Sequence, residues 1–163
     1  MKVEFESTSE EALESKYLSE VRSILDGVWS SASDLFLARN HVRKEQNRTL
    51  KVGKQSDLND VLQERFEDNL WLGSDGRFFK DSIWVRFSFR HSMSLGSDFL
   101  EAFRVHKIEG FQVMCLMYAD ENLLEKIWPS GGQALCSFEK SSAYWSQLNS
   151  VLDMPLVIGR LYI

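Results

Sequence analysis

Positive charge in this chain is gathered into two places, and both consist of groups that bind oxyanions. Residues 39–54 carry Arg39, Arg43, Lys44, Arg48, Lys51 and Lys54, with His41, against Glu45 alone. Further on, Arg86, Ser88 and Arg90 alternate along an extended segment and therefore share one face, next to His91. Guanidinium and ammonium groups hold phosphates and carboxylates through charge-assisted hydrogen bonds, so both clusters are candidate phosphate-contacting sites. Two plainer readings stand beside that one. A basic run is also what a solvated helix or loop face looks like, and the Arg86 cluster is also what a solvated strand face paired with Asp75 or Asp81 would look like. The other reactive residue types do not assemble by spacing. His91 with Ser92, Ser94 and Ser97 forms no nucleophile–base pattern, and no Gly-x-Ser-x-Gly elbow exists. Gly131-Gly132 follows no strand, so it reads as a turn between helices and not as a phosphate loop. His106 and Lys107 read as surface residues. Cys115 and Cys136 lack C-x-x-C spacing and lie in apolar surroundings, which predicts two reduced core cysteines.

The elements that must position these groups follow from apolar periodicity. The segment 82–119 is a β-α-β unit. Ile83, Val85, Phe87 and Phe89 alternate with Trp84, Arg86, Ser88 and Arg90; Ser97 and Asp98 open an amphipathic helix carrying Phe99, Leu100, Phe103 and Ile108 that stops at Gly110; and 111–119 is a near-continuous apolar run, as in a strand buried on both faces. Upstream, the spacing predicts a helix over 9–27, a short helix over 30–37 leading into the basic run, and a helix over 56–69 begun by a capping Ser or Asp. Residues 70–80, with Gly73 and Gly76, read as a turn or short hairpin arm. Downstream come a short helix over 121–128 ended by Pro129, a longer helix over 133–152 and a strand over 155–163. Trp84, Trp128 and Trp145 read as core or core-edge residues, although an exposed Trp84 beside Arg86 would be able to stack on a base. The expected fold class is α/β, a central mixed sheet flanked by helices.

Composition sets the outer limits. The chain has 163 residues, 44% hydrophobic and 26% charged, with two prolines, which fits one domain over 1–163. Residues 1–38 are expected to form an acidic helical extension, since Glu4, Glu6, Glu10, Glu11, Glu14, Glu20 and Asp26 outnumber Lys2, Lys16 and Arg22 there. The net charge of −5 counts mildly against non-specific nucleic-acid binding by the chain as a whole and leaves local binding open. No run of 18 apolar residues, leader or lipidation motif is seen, which predicts a cytoplasmic protein with no membrane role.

From about residue 51 onward the order of elements resembles the BglII-like branch of the restriction-endonuclease (PD-(D/E)xK) superfamily. The resemblance rests on Lys51-Val52-Gly53 ahead of a helix, Trp71 after it, a hairpin into the central strand, a connecting helix, a second apolar strand, two helices, and a late strand carrying Pro155 through Leu161. Such a fold implies metal-assisted phosphodiester hydrolysis, in which Mg²⁺ held by an Asp and a Glu polarises the phosphate and activates a water, with a third residue two places past the Glu. In this sequence the resemblance puts the Glu place at Arg86, the third place at Ser88 and the Asp place at Arg77, with Asp75 two residues away. An arginine does not lose its proton in a protein and repels a divalent cation. The resemblance therefore implies a catalytically inactive restriction-endonuclease-like protein with no metal and no catalytic residues, which binds nucleic acid, DNA first, or a partner protein. Its nucleic-acid contacts would be Arg39, Arg43, Lys44, Arg48, Lys51, Lys54, Arg86 and Arg90. Two alternatives stand beside it. One is an active Mg²⁺-dependent DNA endonuclease with migrated ligands, for which Asp75, Asp81 and Glu101 are the available acids. The other is a structural subunit acting through protein interaction or homodimerisation.

Overall fold

A computed structural model describes every residue except 8, 132 and 133, and only the backbone of residue 11. Six strands form one sheet in the order β1-β6-β5-β4-β3-β2. In chain order they are β1 (Lys2–Ser7), β2 (Leu72–Ser74), β3 (Arg77–Lys80), β4 (Ile83–Phe87), β5 (Val113–Ala119) and β6 (Leu156–Tyr162). β4, β5 and β6 run parallel to one another, whereas β1 against β6 and the β2–β3–β4 meander are antiparallel. The helices are α1 (Glu10–Leu13), α2 (Lys16–Leu25), α3 (Val28–Glu45), α4 (Gln55–Asp68), α5 (Leu95–Arg104), α6 (Glu121–Ile127) and α7 (Phe138–Leu148). The mixed sheet flanked by helices is the architecture expected from the sequence.

Alternation along the strands sorts the core into two layers. From β4, Ile83, Val85 and Phe87 join Leu18, Val21, Leu25, Leu58, Leu62 and Phe66 of α2 and α4. The alternate residue Trp84 joins Phe99, Ala102 and Trp145 of α5 and α7. All five residues of β4 are buried, as are six of the seven in β5, because the parallel centre of the sheet is covered on both faces. Aromatic rings organise each layer. Phe66 stacks on Phe78 with centroids 4.3 Å apart and meets Trp71 and Phe87 edge-on at 5.3 and 5.4 Å. Across the sheet, Phe99 stacks on Trp145 at 5.6 Å.

Several elements depart from the sequence-based expectation. Residues 2–7 are a strand pairing with β6 from Lys2↔Tyr162 to Ser7↔Val157, and not part of a helical extension. Val3 and Phe5 face inward between the acids Glu4 and Glu6, so the segment has a strand period that its acidity hid. The helix expected over 9–27 is divided into α1 and α2 around Glu14 and Ser15, and Gly27, at φ +72°, links α2 to α3. α3 runs on to Glu45, so the first half of the basic run is helical. α4 starts at Gln55 without a side-chain cap, with Asp57 inside its first turn. α7 is shorter than expected because Ser137 caps it, accepting from the Lys140 amide at 3.3 Å. Trp128 is 42% exposed and so lies outside the core, while Trp84 and Trp145 are buried in it. The Gly131-Gly132 turn falls partly outside the described residues.

Cys115 and Cys136 are both free and buried, one in each core layer. Burial pushes the Cys136 thiol up to about 11 and raises that of Cys115 as well. Among the described residues no helix is long and apolar enough to cross a membrane.

Phe66 is the ring on which the α4 layer converges. Phe66→Ala is expected to destabilise the fold by about 3–5 kcal/mol, measured as a lowered midpoint in urea unfolding. A loss below about 1 kcal/mol would show that α4 does not carry this layer.

Candidate functional site

The three places singled out by the sequence lie together. Arg77 of β3 and Arg86 of β4 are register partners, which puts both side chains on one face of the sheet, and Ser88 follows Arg86 on that face. α5 crosses the same face. Its apolar residues Leu95, Phe99 and Ala102 are buried against the sheet, and the same helical side brings down Asp98 and, one turn later, Glu101. Asp98 Oδ1 lies 3.0 Å from Arg86 Nη2, and Glu101 pairs with Arg86 through Oε2 and with Arg77 Nε at 3.0 Å through Oε1. Ser88 Oγ donates to Asp98 Oδ2 at 2.6 Å, Tyr118 of β5 donates to the same oxygen at 3.5 Å, and Arg90 reaches Oδ1 at 3.4 Å. Asp98 is fully buried and Arg86 is 3% exposed.

Burial lowers the Arg86 pKa from its high ordinary value, and the Asp98 charge acts in the opposite direction. An arginine so paired remains a cation at any physiological pH. Tyr118 is raised well above its ordinary value, first by burial and then by the Asp98 charge, which keeps it a neutral donor. The result is a closed ionic network in which three guanidinium groups surround two carboxylates.

This placement corrects two expectations. Arg86 is not on an open phosphate-binding face, because it is buried with its charge matched from within the chain. The acids opposite the cationic cluster are Asp98 and Glu101 of α5, and not Asp75 or Asp81. Asp75 occupies the β2–β3 turn at φ +54°, with Ser74 Oγ 3.4 Å from its carboxylate. Asp81 occupies the β3–β4 turn at φ +50° and accepts from Tyr17 at 2.5 Å. Of the fallback ligands only Glu101 reaches the site, and it arrives as an arginine partner. The Mg²⁺ that the resemblance implies does not fit these residues: two of its three places hold cations, and among the described residues no three His, Cys, Asp or Glu side chains converge to hold a metal. Asp98 escaped sequence reasoning because an acid in the first turn of a helix is favoured there by the helix dipole alone.

The basic run divides into inward and outward cations. Arg39 donates to Asp57 and Asp60, both at 2.7 Å, and Asp57 is fully buried. Lys51 donates to Ser56 at 2.8 Å and lies 3.7 Å from Asp57. Its backbone is clamped by Asn40, which accepts from the Lys51 amide at 2.8 Å and donates to the Lys51 carbonyl at 3.0 Å. Lys54 donates to Ser33 at 3.2 Å and sits over the rings of Trp29 and Phe36, 4.7 and 5.5 Å from their centroids. Between these lysines, Gly53 passes so close to α6 that a Cβ there would lie 3.0 Å from the Ile127 carbonyl oxygen and 3.2 Å from Trp128, which explains a glycine in Lys-Val-Gly. The outward group is Arg43, Lys44 and Arg48. Arg43 donates to the Thr49 carbonyl at 3.0 Å, and Lys44 and Arg48 are exposed with no side-chain partner among the described residues.

Comparison with known proteins places this geometry in a fold. No family model matches the chain, and no curated protein matches it at a significant level. Solved structures of restriction endonuclease BglII do. Its complex with a DNA 16-mer is 15% identical at a TM-score of 0.64, the match covering 99% of this chain and 76% of that one. The free enzyme is 14% identical at a TM-score of 0.60, with coverage of 100% and 80%. The chain therefore has a restriction-endonuclease fold of the BglII type, a mixed six-stranded sheet between helical layers.

Proposed function

We propose that this protein binds duplex DNA through a restriction-endonuclease fold without cutting it. The observation that supports the absence of cleavage is the pairing of Arg77 with Arg86 on the sheet face, closed by Asp98 and Glu101. Hydrolysis of a phosphodiester by a hard divalent cation needs free carboxylate oxygens. Here the carboxylates of that face are bound to guanidinium groups, and the remaining acids of the hairpin lie in turns with other partners. DNA binding is supported by the likeness to BglII, which has been crystallised on DNA, and by the outward cations Arg43, Lys44 and Arg48. These three stand at the end of α3 and in the loop behind it, a local cluster of cations on a chain of net charge −5. Their contacts would be to phosphate oxygens, which fix position on a duplex and carry no base information.

Two measurements test the reading separately. Titration calorimetry with Mg²⁺ or Mn²⁺ is expected to show no binding tighter than about millimolar, the level of non-specific carboxylate association. Incubation with plasmid, linear and single-stranded DNA in either ion is expected to leave all three intact. A divalent-dependent nick that Glu101→Gln or Asp75→Ala abolishes would overturn the non-catalytic half and establish migrated ligands.

The binding half is tested by salt dependence. Each phosphate neutralised contributes about −0.9 to the slope of log K against log salt on B-DNA, so Lys44→Ala with Arg48→Ala is expected to flatten the slope by about two units. Stability should stay within about 0.5 kcal/mol, because neither side chain has an internal partner among the described residues. Arg39→Ala should do the reverse: it removes a partner of buried Asp57 at a cost of about 1–3 kcal/mol and leaves the slope nearly unchanged. No duplex binding even at low salt would overturn the DNA reading and leave a protein partner in its place.

A further inference from the structure

The aromatic ring that stands open to solvent beside the basic run is Trp128, which is 42% exposed. Its place is built by two glycines. A Cβ on Gly131 would lie 2.9 Å from the indole Nε1 and would displace the ring, and one on Gly53 would crowd its six-membered ring at 3.2 Å. The Lys54 amide donates to the Ile127 carbonyl at 2.8 Å, which ties the segment before α4 to the end of α6. A cavity of about 420 Å³ opens where these segments meet, lined by Trp128, Val52, Lys51, Gln55, Ser56 and Asn59. It lies at the carboxyl end of the parallel strands: Gln55 donates to the Phe89 carbonyl, just past β4, at 3.3 Å, and α6 begins where β5 ends. In open α/β sheets that end is where ligands bind.

The lining fits one kind of occupant. Trp128 and Val52 offer apolar surface, and an indole face stacks on any base. Gln55, Ser56 and Asn59 carry amide and hydroxyl groups, which both donate and accept, as the edges of bases require. Lys51 is the only charged side chain of the lining, and buried Asp57 stands 3.7 Å from its ammonium, so the cavity is close to neutral and suits an uncharged ring better than a phosphate. Its volume is at the small end of the roughly 300–1,000 Å³ of ligand pockets, which limits it to one base with its sugar. Phosphates of the same strand have their partners next to it: Lys44 and Arg48 are exposed, and Arg48 precedes Lys51 by three residues, a reach of at most ~11 Å along the chain. We infer that the cavity beside Trp128 takes one unpaired base of a DNA strand, stacked on the indole, while Lys44 and Arg48 hold that strand's phosphates. This rests on the DNA-binding reading above and adds to it a preference for duplexes that contain an unpaired base.

The experiment measures, by fluorescence anisotropy at low salt, binding of the full chain to two duplexes that differ only in one extra, unpaired base at the centre. The bulged duplex is expected to bind about tenfold tighter, the gain of stacking one base on an aromatic side chain. Trp128→Leu keeps an apolar group against Gly53 and Gly131 but has no π face, and it should reduce the preference to about twofold or less, whereas Trp128→Phe should keep most of it. Asn59→Ala, at an exposed position where folding is not at stake, should lower the preference several-fold. Lys44→Ala with Arg48→Ala should weaken both duplexes alike and preserve their ratio. With 2-aminopurine as the extra base, emission should fall on binding the native chain and not on binding Trp128→Leu. Equal affinity for the two duplexes overturns the inference and leaves the DNA-binding reading standing. So does a preference that Trp128→Leu and Asn59→Ala both leave intact, since it then comes from the easier bending of a bulged duplex. If neither duplex binds, the DNA-binding reading fails first, this inference falls with it, and the cavity is left to a side chain of a protein partner.

Discussion

A fully buried carboxylate at residue 98 has to be matched by positive charge and hydrogen-bond donors, or the fold would carry a desolvation cost of several kcal/mol. That requirement binds three elements together. β4 supplies Arg86 and, just beyond its end, Ser88; β5 supplies Tyr118; and α5 supplies the acid itself. Because Asp98 can meet all three only in one rotation of α5, the same rotation seats Phe99 on Trp145 and presses Leu95 and Ala102 into the second core layer. The parallel pairing of β4 and β5 needs a crossover, and in this chain the crossover is fixed in angle as much by a charge as by its apolar stripe.

The same device appears on the opposite face. Asp57 lies in the first turn of α4, fully buried, and is matched by Arg39 and Lys51 as Asp98 is matched by Arg86 and Arg90. Each acid stands where the helix dipole favours it, so part of its stabilisation is local and part comes from a cation supplied by another segment. The consequence for binding is a sorting of the cations. Arg39 and Lys51 are paired with buried Asp57 within the chain, whereas Lys44 and Arg48 are exposed with no side-chain partner among the described residues, and it is on these two that the proposed DNA contact draws. Of the basic residues along 39–54, Arg39 and Lys51 are thus engaged by Asp57 from within the chain.

What the sequence disclosed and what it hid divide along the range of the interactions. The unit β4-α5-β5 is legible because alternation, a helical stripe and a continuous apolar run are each local patterns. β1 is hidden because Val3 and Phe5 alternate with Glu4 and Glu6, whose charge suggests a solvated helix, and its strand character is completed only by the edge of β6, more than a hundred residues away. The length of α3 was hidden for the opposite reason. Of its residues only Val28 and Ala32 are buried, so no apolar stripe marks its second half. At the site, the places of Arg77, Arg86 and Ser88 follow from spacing along a hairpin, but their partners come from the helix across the sheet. Spacing alone therefore leaves Glu101 a candidate metal ligand, whereas its neighbours in the fold are guanidinium groups.

The charges on this face are also interdependent. Arg77 and Arg86 are directly opposed on adjacent antiparallel strands, an arrangement that destabilises a sheet when nothing lies between the charges. Glu101 bridges the two, and Asp98 takes the remaining face of Arg86, so the arginine pair is tolerable only with the acids of α5 present. Neutral residues at these places would need no acid beneath them. Opposed cations with matched acids do more: they make the face a rigid ionic joint between the hairpin and the crossover helix. A face built that way ties the hairpin to the crossover helix through charges supplied by the chain itself. Such a joint suits the proposed presentation of Lys44 and Arg48 to a duplex, since a surface of so few phosphate contacts gains affinity only if little conformational freedom is lost when it binds.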